Sequence, residues 1–220
     1  MPGTEQRTTT RQHRGAHAFH RSGAAAAFVT MRYVPDAATG RALLDDVLDE
    51  WAAVPRPAGV LSHGAYLDTA EETALTCVQV SDPDAYRDFA RSLTGPAAVE
   101  AVDYRPYRGV VFDPTPAEPG CVVVATFDVD GPDRQRAVID ALCDALESQP
   151  EDTRAGMLSA TFHTTLDGTR VLNFAEWTTD EAHDAFLDGA GRAGTYRVST
   201  RIPGVRPIGF KRFHRHVRSA

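Results

Sequence analysis

Asn173 and Trp177 stand four residues apart in the run RVLNFAEWT (170–178), whose β-branched and aromatic content reads as a strand. Even spacing on a strand puts both side chains on one face and Phe174 and Glu176 on the other. An amide and an indole N–H on one face can donate hydrogen bonds to an oxygen on which negative charge develops. Trp177 alone could simply fill core space, but a buried Asn173 amide has to be satisfied. His163 lies ten residues earlier, across an Asp167-Gly168 turn, and counting back from that turn pairs it near Arg170 to Asn173. It is therefore expected to point into the same pocket, with Phe162 beside it. His183 falls on the following helix, where both pocket and solvent are open to it. Arg197 lies in the segment before the last strand, where a surface role and an anion-stabilising role are equally open.

Other familiar chemistry is missing from the sequence. There is no Gly-x-Gly-x-x-Gly after a strand, no Walker loop and no Gly-x-Ser-x-Gly. His13, His17 and His20 lack Cys or carboxylates at ligand spacing, and no other set of His and acids has it, so no metal is expected. Cys77, Cys121 and Cys143 sit inside apolar runs without a Cys-x-x-Cys spacing, the pattern of small core thiols in a reduced, cytoplasmic protein.

Positioning these residues requires a fold, and 220 residues suffice for two units of roughly 100 each. A net charge of -7 argues against nucleic acid as a partner, and no apolar run is long enough to span a membrane. The charge is uneven: residues 1–24 carry +3 and residues 205–220 carry +5, leaving -15 for residues 25–204. The Thr- and Arg-rich segment 1–24 has no periodicity and reads as a disordered basic tail. Residues 214–220 read as a second basic tail that keeps the chain soluble.

Between the tails one pattern occurs twice. AAFVTMRYV (26–34) reads as a strand, and Leu43, Val47, Leu48 and Trp51 then recur at helical spacing. Strands over 59–68 and 73–81, a helix over 81–93 and a strand over 104–112 complete a β-α-β-β-α-β unit. The second unit has strands over 121–129, 156–165 and 170–178, helices over 133–148 and 178–189, and a closing strand over 205–213. GVLSHGAYLD aligns with GMLSATFHTT, and TCVQVSDPDAYRDF with NFAEWTTDEAHDAF, at a constant offset of 97 residues. The Pro-rich run DPTPAEPG (113–120) joins the repeats at 25–112 and 121–213. The fold class is α+β: two tandem ferredoxin-like repeats, each with a bare sheet face that the other must cover. That implies a dimeric α+β barrel within one chain, a monomeric pseudo-dimer or a homodimer of such chains. Each half would offer a cavity between helices and sheet for a small apolar ligand.

The set His163, Asn173, Trp177 and Arg197, with the phrase VLNFAEWTTDEAHDAF, resembles the antibiotic biosynthesis monooxygenase family. The likeness is to its small cofactor-independent oxygenases, which turn anthrones into quinones; it covers 121–213 well and 26–112 more weakly. It implies an aromatic polyketide and dioxygen as partners, no cofactor, and a pocket lined by the Asn and the Trp, in which His163 or His183, with a pKa near working pH, would move a proton and Arg197 would stabilise an anion. The family's Tyr on the helix after the Trp is His183 in this chain. The first repeat departs from the pattern, with Thr76, Val80 and Tyr66 where the second has Asn173, Trp177 and His163. Its Tyr86 stands at the position of His183, so Tyr66 and Tyr86 are candidates to line a ligand site in a degenerate half. Haem-degrading relatives use a His ten residues beyond the Trp, and that position is Leu187. A cyclase or isomerase using His163 for enolisation, and a non-catalytic binder of an aromatic metabolite, are the alternatives on the same fold.

Overall fold

The computed structural model describes Phe19, residues 23–113 and residues 118–217. His13, His17, His20, the centre of the connector and the last three residues lie outside that set. The first half runs β1 (Ala26–Tyr33), α1 (Ala37–Ala53), β2 (Val60–Asp68), β3 (Thr73–Val80), α2 (Pro83–Ser92) and β4 (Val102–Val111). The second runs β5 (Cys121–Val129), α3 (Pro132–Ser148), β6 (Met157–Thr165), β7 (Arg170–Trp177), α4 (Asp180–Asp188), α5 (Ala190–Arg201) and β8 (Val205–Arg215). The order of the first half recurs in the second with one addition, α5.

Local chemistry sets these boundaries. Asp36 caps α1 by accepting from the Thr39 backbone N–H at 2.8 Å, and Thr179 caps α4 by accepting from Ala182 at 3.2 Å. Asp82 caps α2, with Pro83 in its first turn. At the β6–β7 turn, Gly168 takes φ +76°, and Asp167 Oδ1 accepts from the Thr165 hydroxyl at 2.6 Å and the Thr169 N–H at 3.0 Å.

All strand pairs are antiparallel, in the order β1-β3-β2-β8-β5-β7-β6-β4, and β4 returns to β1 to close the barrel. Each half contributes four consecutive strands, β4-β1-β3-β2 and β8-β5-β7-β6, so the halves join edge to edge at two seams. The seams are unequal. β4 and β6 pair from Tyr104↔Thr165 to Val111↔Ser159, whereas β2 and β8 pair only over Tyr66–Asp68 and Phe213–Arg215. His214 and Arg215 thus belong to β8, and the expected C-terminal tail begins after them.

Closure gives every strand an inner face shared by both halves and an outer face under its own helices. Tyr66, Leu75, Cys77, Tyr104, Val122, Val124, Leu172, Phe174 and Phe213 fill the inside. Phe19 enters the same core from the segment expected to be a disordered tail, stacked on Phe174 at 4.0 Å and interplanar 7°. The outer face of the second half packs Val123, Val138, Ile139, Leu142, Leu146, Ala160, Phe162, Val171 and Trp177 against α3 and its neighbours. Since Phe174 is fully buried where inner residues of both halves meet, Phe174→Ala should lower stability by about 3–5 kcal/mol; urea unfolding followed by far-UV circular dichroism checks this.

Candidate functional site

Asn173, Ala175 and Trp177 project from the outer face of β7 into a cavity of about 320 Å³ roofed by α3, α4 and α5. Its walls are mostly apolar: Val123, Phe127, Leu142, Leu146, Met157, Ala160, Phe162, Phe186 and Leu187. Its polar lining is sparse, chiefly Asn173, Trp177, His183, Thr195 and Ser199, with Arg192 and Tyr196 among the exposed residues. Exposed Ile208 and Phe210 on β8 complete the lining. Phe162 pairs with Asn173 across β6–β7 and so shares its face, as expected.

Two buried polar atoms in this cavity have no hydrogen-bond partner among the described residues: Asn173 Oδ1 and Trp177 Nε1. Leaving such groups unpaired costs about 1–3 kcal/mol each, so their retention on the wall of an apolar cavity points to a polar ligand atom between them. A half-turn of the Asn173 amide about its last side-chain bond puts the NH₂ where Oδ1 stands, so that this position can donate alongside Trp177 Nε1–H.

His183 reaches the cavity from α4. It is buried, 5.2 Å from the Trp177 ring and edge-on to Phe210 at 5.4 Å. Its Nδ1 faces Arg212 of β8, with Nε at 3.2 Å and Nη2 at 2.9 Å. Asp184 anchors that guanidinium, and Asp180 lies 3.6 Å from Nη1. Asp180 in turn meets His214 Nε2 at 3.0 Å. Burial, and then the Arg212 charge, push the His183 pKa from 6.5 down to about 4, the two aspartates only partly opposing this. His183 is therefore neutral near pH 7. The expectation that its pKa lies near working pH is corrected.

The remaining candidates lie elsewhere. His163 pairs with Leu172, within the expected range, but strand alternation turns it to the inside of the barrel and away from the pocket, edge-on to Phe174 at 5.5 Å. Tyr66, at the corresponding position of the first half, is also inside, 5.6 Å from Phe19. Arg197 is not in a loop: it lies on α5, exposed, with Nε donating to the Ala193 carbonyl at 3.0 Å. Arg192, five residues earlier on the same helix, lines the cavity instead. Tyr86, on α2, is buried against Phe28 of β1, 4.6 Å away, beside a void of only about 30 Å³. Burial pushes its hydroxyl up to about 12. The void beside Tyr86 is too small for a ligand that would fill the cavity of the second half.

Arg212 was visible in the sequence only as one charge in a basic run. Helix α5 was missed because AGRAGTYRVSTR carries two glycines and little apolar periodicity. It forms because Gly191 lets it press against Phe186 and the Thr153 carbonyl, where a Cβ would collide. The three cysteines are buried, as read. Among the described residues no three His, Cys, Asp or Glu side chains could hold a metal ion, and no helix is long and apolar enough to cross a membrane.

Solved structures carry the same fold. An anthrone oxidase-like protein superposes with a TM-score of 0.65 at 15% identity, over 88% of this chain and 92% of its own. A Listeria monocytogenes ferredoxin-fold protein related to antibiotic biosynthesis monooxygenases gives 0.52 at 11%, over 89% and 96%. The chain thus shares its fold with both proteins. A heme-degrading enzyme from Listeria monocytogenes, TM-score 0.51 at 9% identity over 86% of this chain and 98% of its own, shares it too, so the fold leaves the reaction open. No family profile and no curated protein matches the sequence.

Two outcomes follow from this geometry. A flat three-ring ligand such as a hydroxyanthraquinone should bind one per chain in calorimetry, with Tyr86→Phe leaving affinity unchanged and Asn173→Leu weakening it about tenfold. Because folded His183 stays unprotonated where the unfolded chain takes up a proton, stability should fall as pH drops from 6.5 towards 4. The contribution amounts to up to ~3 kcal/mol and should be absent from the pH dependence of His183→Gln unfolding.

Proposed function

We propose that the second half is an oxygenase site that oxidises an aromatic, phenolic substrate of the anthrone type with dioxygen, without a cofactor. The observation that carries this reading is the pair of unpartnered buried groups, Asn173 Oδ1 and Trp177 Nε1, set in an otherwise apolar cavity. A fused aromatic system would occupy the apolar volume, which falls in the size class of drug-sized ligand sites, about 300–1,000 Å³. Its single polar edge would meet Trp177 and Asn173.

The chemistry assigned to the site is that of a stabilised anion. The ionised substrate holds its charge on an oxygen bound by the Trp177 N–H and the Asn173 NH₂. It passes one electron to dioxygen, and the two radicals combine at the ring carbon to form a substrate peroxide. Loss of water then leaves a carbonyl. A CH₂ and O₂ become C=O and H₂O, with one oxygen atom in the quinone and the other in water. The apolar walls limit bulk water around the peroxide, and Arg192 offers a positive charge to an anionic substituent.

Chelator-treated protein given anthrone should consume oxygen above the spontaneous rate and form the quinone. Trp177→Phe and Asn173→Ala should each lower kcat about 10²-fold. Unchanged turnover in both variants, or anthrone bound without oxygen uptake, would overturn the assignment, the latter in favour of a cyclase or a binding protein.

A further inference from the structure

Among the described residues lining the cavity there is no Asp, Glu, Lys or Cys. Arg192 and Tyr196 are exposed, and a guanidinium has no acceptor. That leaves His183 as the only lining group able to take a proton from a phenol or enol. Its basic nitrogen is not available. Two donors of one guanidinium, Nε and Nη2 of Arg212, converge on Nδ1 at 3.2 and 2.9 Å. A guanidinium has no acceptor, so Nδ1 must be the lone-pair nitrogen, and the neutral ring carries its proton on Nε2.

The groups facing the imidazole come from every element around it. Arg212 on β8 lies behind it, and Asp180 and Asp184 on α4 hold that guanidinium. The Cys121 thiol of β5 bonds to Asp180 and is pushed up to about 12 by burial, so it stays protonated. Trp177 and Phe210 flank the ring, and Arg192 lies on the cavity wall. None of them leaves Nδ1 free.

We propose that Arg212 is a positioning residue that locks His183 as a neutral Nε2–H donor, so that this cavity takes its substrate already ionised and supplies no base to ionise it. The inference rests on the oxygenase reading and narrows its substrate. The substrate class is a phenol or enol acidified by a conjugated carbonyl, with a pKa of about 8 or below, rather than a simple phenol near 10. Trp177 Nε1–H, the Asn173 NH₂ and His183 Nε2–H then form a set of donors around an oxyanion, with no lining acceptor strong enough to hold a proton there. The low pKa of His183 agrees with this arrangement.

The test begins with 2-hydroxyanthraquinone, a quinone already at the product oxidation level whose visible absorption reports its ionisation. Bound to the full chain, it should ionise at least about one pH unit below its free value, a tenfold preference for the anion. In ¹H–¹⁵N spectra His183 should show a protonated Nε2 and no titration between about pH 5.5 and 9. Arg212→Met should raise the pH at which His183 titrates, by less than a full return to 6.5 because the ring stays buried, and should let its proton exchange between the two nitrogens, whereas Arg212→Lys, which keeps a donor, should leave Nε2 protonated. With oxidisable phenols of graded acidity, the pH midpoint of kcat/KM should follow each substrate's own pKa.

A bound dye that ionises at or above its free pKa overturns the proposal. So does a wild-type His183 that titrates between pH 6 and 8, or a kcat/KM midpoint that stays constant across substrates. The wild-type measurements decide the question even if Arg212→Met does not fold. Failure of the oxygenase reading is separable: the dye would still bind as its anion while anthrone consumed no oxygen.

Discussion

Closure of an eight-stranded sheet forces every residue of every strand to choose between two interiors. The inner one is common to both halves, and the outer ones lie under each half's own helices. Strand alternation makes that choice rigid, because a residue can change faces only if the register slips by one. On β7, Leu172 and Phe174 face the shared core, while Asn173, Ala175 and Trp177 face the helices. The larger cavity exists because α3, α4 and α5 leave space above that second set, whereas α1 and α2 settle onto the corresponding surface of the first half.

The asymmetry between the halves has identifiable physical causes. The second half has an additional helix, α5, which widens the roof and brings Arg192, Thr195, Tyr196 and Ser199 to the cavity. In the first half, Tyr86, Phe89, Trp51 and His63 close around a void of about 30 Å³. The aromatic volume that a ligand would occupy in one half is occupied by side chains in the other. The two seams are unequal as well, and Phe19 helps to fill the interior that they enclose.

Electrostatics inside the cavity follow from which charges are allowed near it. Arg212, partly buried, touches the site through His183, and two aspartates on α4 balance it from behind. Apart from Arg192, the lining combines apolar walls with neutral polar groups.

The sequence alone determined the α+β class, the β-α-β-β-α-β order of each half, most element boundaries to within two residues and the shared face of Asn173 and Trp177. These are local properties, set by hydrophobic periodicity, caps and turn residues that act over a few positions. The tertiary structure decided the rest. His163 went to the inner face because hairpin register, which depends on the turn and on packing, pairs it with Leu172. Arg197 went to solvent because the segment before β8 is a helix whose Gly191 packs closely against Phe186 of α4, a fit that intrinsic propensity disfavours. Arg212 became part of the site, 29 residues from His183, because β8 runs beside β5 and carries it beneath α4. Which charge meets which ring across a closed sheet is a matter of non-local packing, and no spacing along the chain encodes it.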